Sequence, residues 1–109
     1  YSDVLLMAAE AYNRGGIDDG LAQEFLNQVR RRAFGDDDHD ISASGTALTD
    51  AILEERKFEL SLEGHRFFDL VRTGRASSLI AGFVEGKHEV FPIPQQEVDV
   101  SGLTQNAGY

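Results

Sequence analysis

An all-α fold is predicted for this chain of 109 residues, and three observations predict it. Segments rich in alanine and leucine recur, with apolar residues spaced at three and four positions. Glycines close these segments, as they commonly close helices. Both prolines fall in one stretch, "VFPIP" at residues 90–94, where they push Phe91 and Ile93 towards extended conformations. The architecture expected is a helical hairpin, two further helices and an extended, irregular C-terminal strap. One domain, residues 1–109, holds a hairpin at 1–33, a charged helix with short helices at 47–82 and a tail at 83–109.

The first helix is "DVLLMAAEAYNR", Asp3 to Arg14, stopped by Gly15 and Gly16. It is apolar nearly all round apart from Glu10, Asn13 and Arg14, the pattern of a helix sandwiched between neighbours. The second starts near Asp18 and Asp19, whose side chains can cap free amides, with Leu21, Ala22, Phe25, Leu26 and Val29 on one stripe. Arg30, Arg31 and Arg32 lie in its last turns, where cations meet the negative end of the helix dipole. The spacing Leu5, Ala8, Ala9, Tyr12, Phe25 partly matches a tetratricopeptide unit, although no second copy follows at a period of about 34 residues. "FGDDDHDISASGT", residues 34–46, reads as a polar loop that ends in Thr46 as the cap of a third helix from about Ala47 to Glu63. A shorter helix runs from Arg66 to Thr73. The apolar "SSLIAGF" comes next, and Tyr109 is the one residue of the tail suited to anchor it.

Composition narrows the function. Ten basic residues against 19 acidic ones give a net charge of −9, which opposes a phosphate backbone, so nucleic acid is excluded as a partner. Arginine outnumbers lysine, since Lys57 and Lys87 are the only lysines, and an acidic, lysine-poor surface suits a salty setting. There is no cysteine, hence no disulfide, thiolate site or cysteine nucleophile. No apolar run reaches the roughly 18 residues of a membrane span, and no signal-peptide pattern opens the chain. Its first residues already read as helix interior, as if cut from something longer.

The most informative stretch is "EERKFELSLEGHRFFDLVR", residues 54–72. At about 100° per residue, Leu48, Ala51, Ile52, Glu55, Phe58, Glu59 and Leu62 share one arc of the third helix. Asp50, Glu54, Lys57 and Ser61 form the opposite, solvated stripe, with Arg56 and Glu63 on the border. A carboxylate among leucines needs a cation, a set of donors or a proton. Arg56, Arg66 and Arg72 are the nearest cations along the chain, and Asp69 lies three residues from both Arg66 and Arg72, within reach on a helix. The expectation is a structural ion network of Glu55, Arg56, Glu59, Glu63, Arg66, Asp69 and Arg72, held by guanidinium groups of the adjoining short helix.

Two carboxylates one turn apart could also serve glycoside hydrolysis, but arginines within reach favour the ionised form, which has no proton to donate. No catalytic residue is therefore assigned. His65 lacks a second histidine at i+4 and reads as a hydrogen-bonding residue at a helix junction. Asp36, Asp38 and Asp40 offer hard oxygens, yet "DDDHD" lacks the glycine and distal glutamate of the twelve-residue calcium loop, and a solvated acidic loop is preferred. No phosphate-cradling loop or serine elbow occurs, and no metal or cofactor is expected.

Taken in order, "YSDVLLMAAEAYN", "LNQVRRRA", "AILEERKFELSLEGHRFFDLVRTG", "FPIPQQEVD" and "LTQNAGY" resemble the C-terminal part of the SusD/RagB family across nearly the whole chain. Ala107 stands where the family ending usually has proline, and Thr73 where an aromatic commonly precedes the glycine. The resemblance implies a helical protein built on tetratricopeptide-type hairpins. It further implies a surface lipoprotein of the bacterial outer membrane that binds oligosaccharides, caps a SusC-like TonB-dependent transporter and catalyses nothing. On that resemblance the chain would be about the last fifth to quarter of such a protein and mainly scaffold. Its membrane contact would come only through a lipid anchor outside this chain. Sugar-contacting residues vary within the family, so none is assigned. Two competing readings remain open: a tetratricopeptide-like module that binds a peptide, and a glycoside hydrolase fragment.

Overall fold

The structure is a computed structural model that describes every residue from Tyr1 to Tyr109. It is all-helical, with no strand: α1 (Ser2–Arg14), α2 (Asp19–Phe34), α3 (Gly45–Glu59), α4 (Arg66–Arg72), α5 (Ala76–Leu79) and α6 (Gln95–Ser101). The chain divides into two compact units, Tyr1–Arg66 and Phe67–Tyr109.

The first unit is a three-helix arrangement. Leu6 and Ala9 of α1, Ala22, Leu26 and Val29 of α2, and Leu48 and Ile52 of α3 are buried in one cluster. Each fully buried leucine, isoleucine or valine there contributes about 1.5–3 kcal/mol over its exposed state. The hairpin is set by local chemistry. At the end of α1, Gly16 takes a φ of +63° that a side chain would strain, and the amide of Ile17 donates to the carbonyl of Tyr12 at 2.9 Å. Asp18 then caps α2 by accepting from the amide of Leu21 at 3.0 Å. Gly35, with a φ of 86°, ends α2.

The third helix corrects the sequence reading at both ends. It begins at Gly45, with Ser44 in the cap position and no side-chain cap bond from it. A carboxylate from another helix replaces the local cap, because Asp19 accepts from the amide of Gly45 at 2.6 Å. It finishes at Glu59, short of Glu63, since Leu62 adopts a φ of 68° and Gly64 one of 83°. The buried face is also rotated towards Arg56. Leu53, Arg56 and Leu60 are buried, whereas Phe58 and Leu62, expected inside, stand 64% and 104% exposed. Packing against two helices at once, and not one, widens and turns that face.

In the second unit, α4 and α5 are short, and Leu70 and Ala76 are buried. The strap contains a helix the sequence reading lacked, α6, which starts directly after Pro94. Proline fixes φ at a value suited to a helix start, so the residue read as keeping the chain extended also launches a turn of helix. The tail is clipped back on the strap. Gln105 mimics a strand partner, accepting from the amide of Ile93 at 2.7 Å and donating to its carbonyl at 2.8 Å. Tyr109 donates to the carbonyl of Val90 at 3.0 Å, and the Lys87 ammonium lies 4.7 Å from its ring centre.

Candidate functional site

Polar and charged contacts join the helices of the first unit at both of their ends. At one end, Asn13 donates to Asp19 at 2.7 Å and to the carbonyl of Gly45 at 3.0 Å, while its own carbonyl accepts from the hydroxyl of Thr49. One amide thus joins the C-terminus of α1 to the N-termini of α2 and α3. These bonds hold the Asp19 carboxyl below the usual range, chiefly through Asn13 and then through the amide of Gly45.

At the other end the partners are ionic. Glu55 is buried and takes a 2.6 Å bond from Arg30. Glu59 meets Arg32, and the buried Arg56 donates to Asp3 in the first turn of α1 at 2.7 Å. With the first end, these pairs fix the directions: α3 runs antiparallel to α1 and parallel to α2. The cations that meet Glu55 and Glu59 therefore come from α2 and not, as expected, from the short helix that follows. Arg66 instead donates to the carbonyl of Leu53 at 3.4 Å, and Arg72 forks onto the buried Asp69 at 2.9 and 2.6 Å. Glu63 stands exposed outside the network, because the helix that would have carried it inward has already ended.

The triple arginine is the part that sequence reasoning missed. Successive residues on a helix point about 100° apart, so three arginines in a row cannot all serve the helix end. Arg30 and Arg32 reach α3, while Arg31 turns to Glu24 at 3.3 Å and forks onto Asp40, which raises its already high pKa further. The polar loop is likewise bound along α2. Asn27 donates to the carbonyl of Ile41 at 2.9 Å and accepts from its amide at 2.8 Å. Gln23 donates to the carbonyl of Ala43 at 2.8 Å, and Arg30 to that of His39 at 2.7 Å. Gln23, Asn27 and Arg30 recur at four and three positions, a polar stripe that was legible as a loop-binding face.

The aspartate loop is occupied with itself and with α2. Asp36 accepts from the amide of Asp38 at 3.2 Å and lies 3.1 Å from Nδ1 of His39, whose ring stacks on Phe34. No three histidine, cysteine, aspartate or glutamate side chains converge as metal ligands.

A groove of about 570 Å³ between α1 and α2 is lined by Tyr1, Leu5, Val29, Arg31 and Arg32 among others. A smaller one of about 220 Å³ in the second unit has Phe83, Ser77, Glu85 and Glu89 on its walls. Ser77 donates to Glu85 at 2.5 Å, and the amide of Gly86 donates to Glu89 at 3.0 Å, which holds the Glu89 carboxyl below its ordinary value. Neither Glu55 nor Glu59 lines either hollow. No buried side-chain nitrogen or oxygen lacks a partner, and no helix is long and apolar enough to cross a membrane.

Comparison with known proteins fits this helical arrangement. The chain is 39% identical to a SusD-like protein of Formosa agariphila over its full length, covering 24% of that protein. It is 32% identical to a second SusD-like protein of the same organism, with 92% of this chain matched to 21% of the relative. A solved SusD homolog from Bacteroides thetaiotaomicron superposes on 98% of the chain and 24% of its own, with a TM-score of 0.85 at 34% identity. The chain thus spans about a quarter of the length of the relatives it matches. The profile of the SusD family matches residues 1–88, and with relatives and a solved structure agreeing in sequence and in fold, the chain belongs to the SusD family.

Proposed function

We propose that the full-length polypeptide binds oligosaccharides at the outer surface of the outer membrane and passes them to a SusC-like, TonB-dependent transporter, and that these 109 residues are mainly scaffold. Proteins of the SusD family are binding proteins, and the family match is the observation that carries the reading. The distribution of charge supports the scaffold role. Glu55, Glu59 and Arg56 of α3 each meet a partner on another helix, and the buried Glu10 of α1 meets Arg14 one turn along its own helix. The function of the pairs between helices is then to fix helix directions, while Asp69 and Arg72 pair three residues apart along α4 of the second unit. A carboxylate held by a guanidinium inside a helix packing is more often architecture than a reaction centre.

The test is glycan binding by the full polypeptide, followed by calorimetry and by analysis of the glycan afterwards. Binding with every glycosidic bond intact is expected, together with co-purification of the transporter from detergent extracts. Cleavage of a glycan that Glu55→Gln abolishes while the fold survives would replace this reading with a hydrolase. Failure to bind any glycan, with capture of an extended peptide instead, would favour the protein-interaction module.

A further inference from the structure

A stretch of the polar loop lies along α2 in the manner of a bound peptide. The carbonyls of His39, Ile41 and Ala43 accept from Arg30, Asn27 and Gln23 at 2.7, 2.9 and 2.8 Å, so the segment runs antiparallel to the helix. Carbonyls turned to one side at alternate positions follow the period of an extended chain, about 6.6 Å for two residues, while three or four residues of helix rise about 4.5–6 Å. The two periods nearly match, which lets side chains spaced at three and four positions each take the next alternate carbonyl. Asn27 also accepts from the amide of Ile41 at 2.8 Å, and so reads both backbone groups of one residue as a neighbouring strand would. Side chains add selectivity, because Asp40 forks onto Arg31 while Ile41 and Ala43 pack at the edge of the core.

We propose that this stripe of α2 is a recognition surface for an extended acidic peptide of a partner protein, and that residues 39–43 are a built-in occupant displaced when the partner docks. The seated segment itself selects that occupant, since it shows what the surface takes: main chain on Gln23, Asn27 and Arg30, an aspartate on Arg31 and a β-branched residue next to it. In such recognition the main-chain bonds give affinity and the side chains specificity. Charge agrees, because Arg30, Arg31 and Arg32 gather three of the ten basic residues of an acidic chain at consecutive positions. Two features let the segment leave. Gly35 and Gly45, at φ 86° and 55°, flank it with backbone freedom that glycine supplies. Residues 34–40 are exposed and Ile41 and Ala43 only half-buried, so opening uncovers little of the core. Tethering gives the built-in occupant an effective concentration on the order of millimolar, which screens the surface from weak competitors. The proposal does not depend on the glycan reading.

The test supplies the segment as a separate molecule. A fluorescent synthetic peptide of residues 36–44, DDDHDISAS, is titrated against the 109-residue chain and against a variant whose residues 36–43 are replaced by glycine and serine, with circular dichroism reporting the helices of both. Binding to the replaced chain about tenfold or more tighter than to the intact one is expected, weakened about tenfold by Asn27→Ala in that chain and likewise by D40K in the peptide. No saturable binding by a replaced chain that keeps its helices would overturn the proposal. So would equal binding to the two chains, or binding indifferent to both substitutions. Should the replacement unfold the chain, amide exchange in the intact one decides. There the amide of Ile41 is expected to exchange well ahead of that of Ile52 in the core, and equal protection of the two would overturn the proposal.

Discussion

At the scale of single residues, exposure separates ion pairs of similar geometry. Glu55 and Arg30 are 8% and 19% exposed at their side chains, whereas Arg32, the partner of Glu59, is 62% exposed, and Glu54 and Lys57 are nearly half open to solvent. Breaking the first pair leaves a guanidinium poorly solvated, while water replaces the partner in the others. Glu55→Gln is expected to cost about 2 kcal/mol of stability in urea denaturation. Glu59→Gln should cost roughly 0.5–1 kcal/mol, and Glu54→Gln about zero. The reverse order would mean that the pairs do not brace the core. The inward turn of Glu55 was legible in the helical period, because it shares an arc with Leu48 and Ile52. Its partner was not, since Arg30 is 25 residues away and only the packing of α2 beside α3 brings the two together.

At the scale of elements, helix ends were harder to read than helix existence. The glycines after α1 marked its stop, and Asp18 marked the start of α2. The start of α3 was misplaced because its first amide is satisfied by Asp19, across the helix packing, and no local cap signals it. Its end was misplaced because Leu62 occupies left-handed backbone, a conformation that leucine does not advertise. That residue is fully exposed, so replacing it loses no contact and relieves the strain of a side chain at φ 68°. Leu62→Gly is expected to stabilise the 109-residue chain by up to about 1 kcal/mol, after allowing for the added freedom of the unfolded chain. A lower melting temperature for this variant would show that Leu62 is held by packing within the chain.

At the scale of the whole molecule, a net charge of −9 sets two effects of acid against each other. Protonation relieves repulsion among the carboxylates, but it also removes acceptors that the fold uses. Asp19 in the first unit and Glu89 in the second are both held below the ordinary carboxylate range by hydrogen bonds from Asn13 and from the amide of Gly86. A carboxyl depressed in the folded state adds stability that is complete above its unfolded value and lost as the pH falls through its folded one. Melting temperature should accordingly stay level from pH 7 to about 5 and decline below about pH 4. Asp19→Asn should be less stable at neutral pH and lose less on acidification. An acid limb identical in parent and variant would remove Asp19 from the account.

The sequence by itself determined the helical class, the hairpin, the apolar stripe of α2 and the family to which the chain belongs, because helical period, caps and motif order are properties of neighbouring residues. Tertiary structure alone decided which arginine meets which glutamate, what caps α3 and what lies along α2. Those outcomes depend on residues far apart in the chain becoming neighbours, and the free energy of a buried charge is fixed by what stands beside it in space.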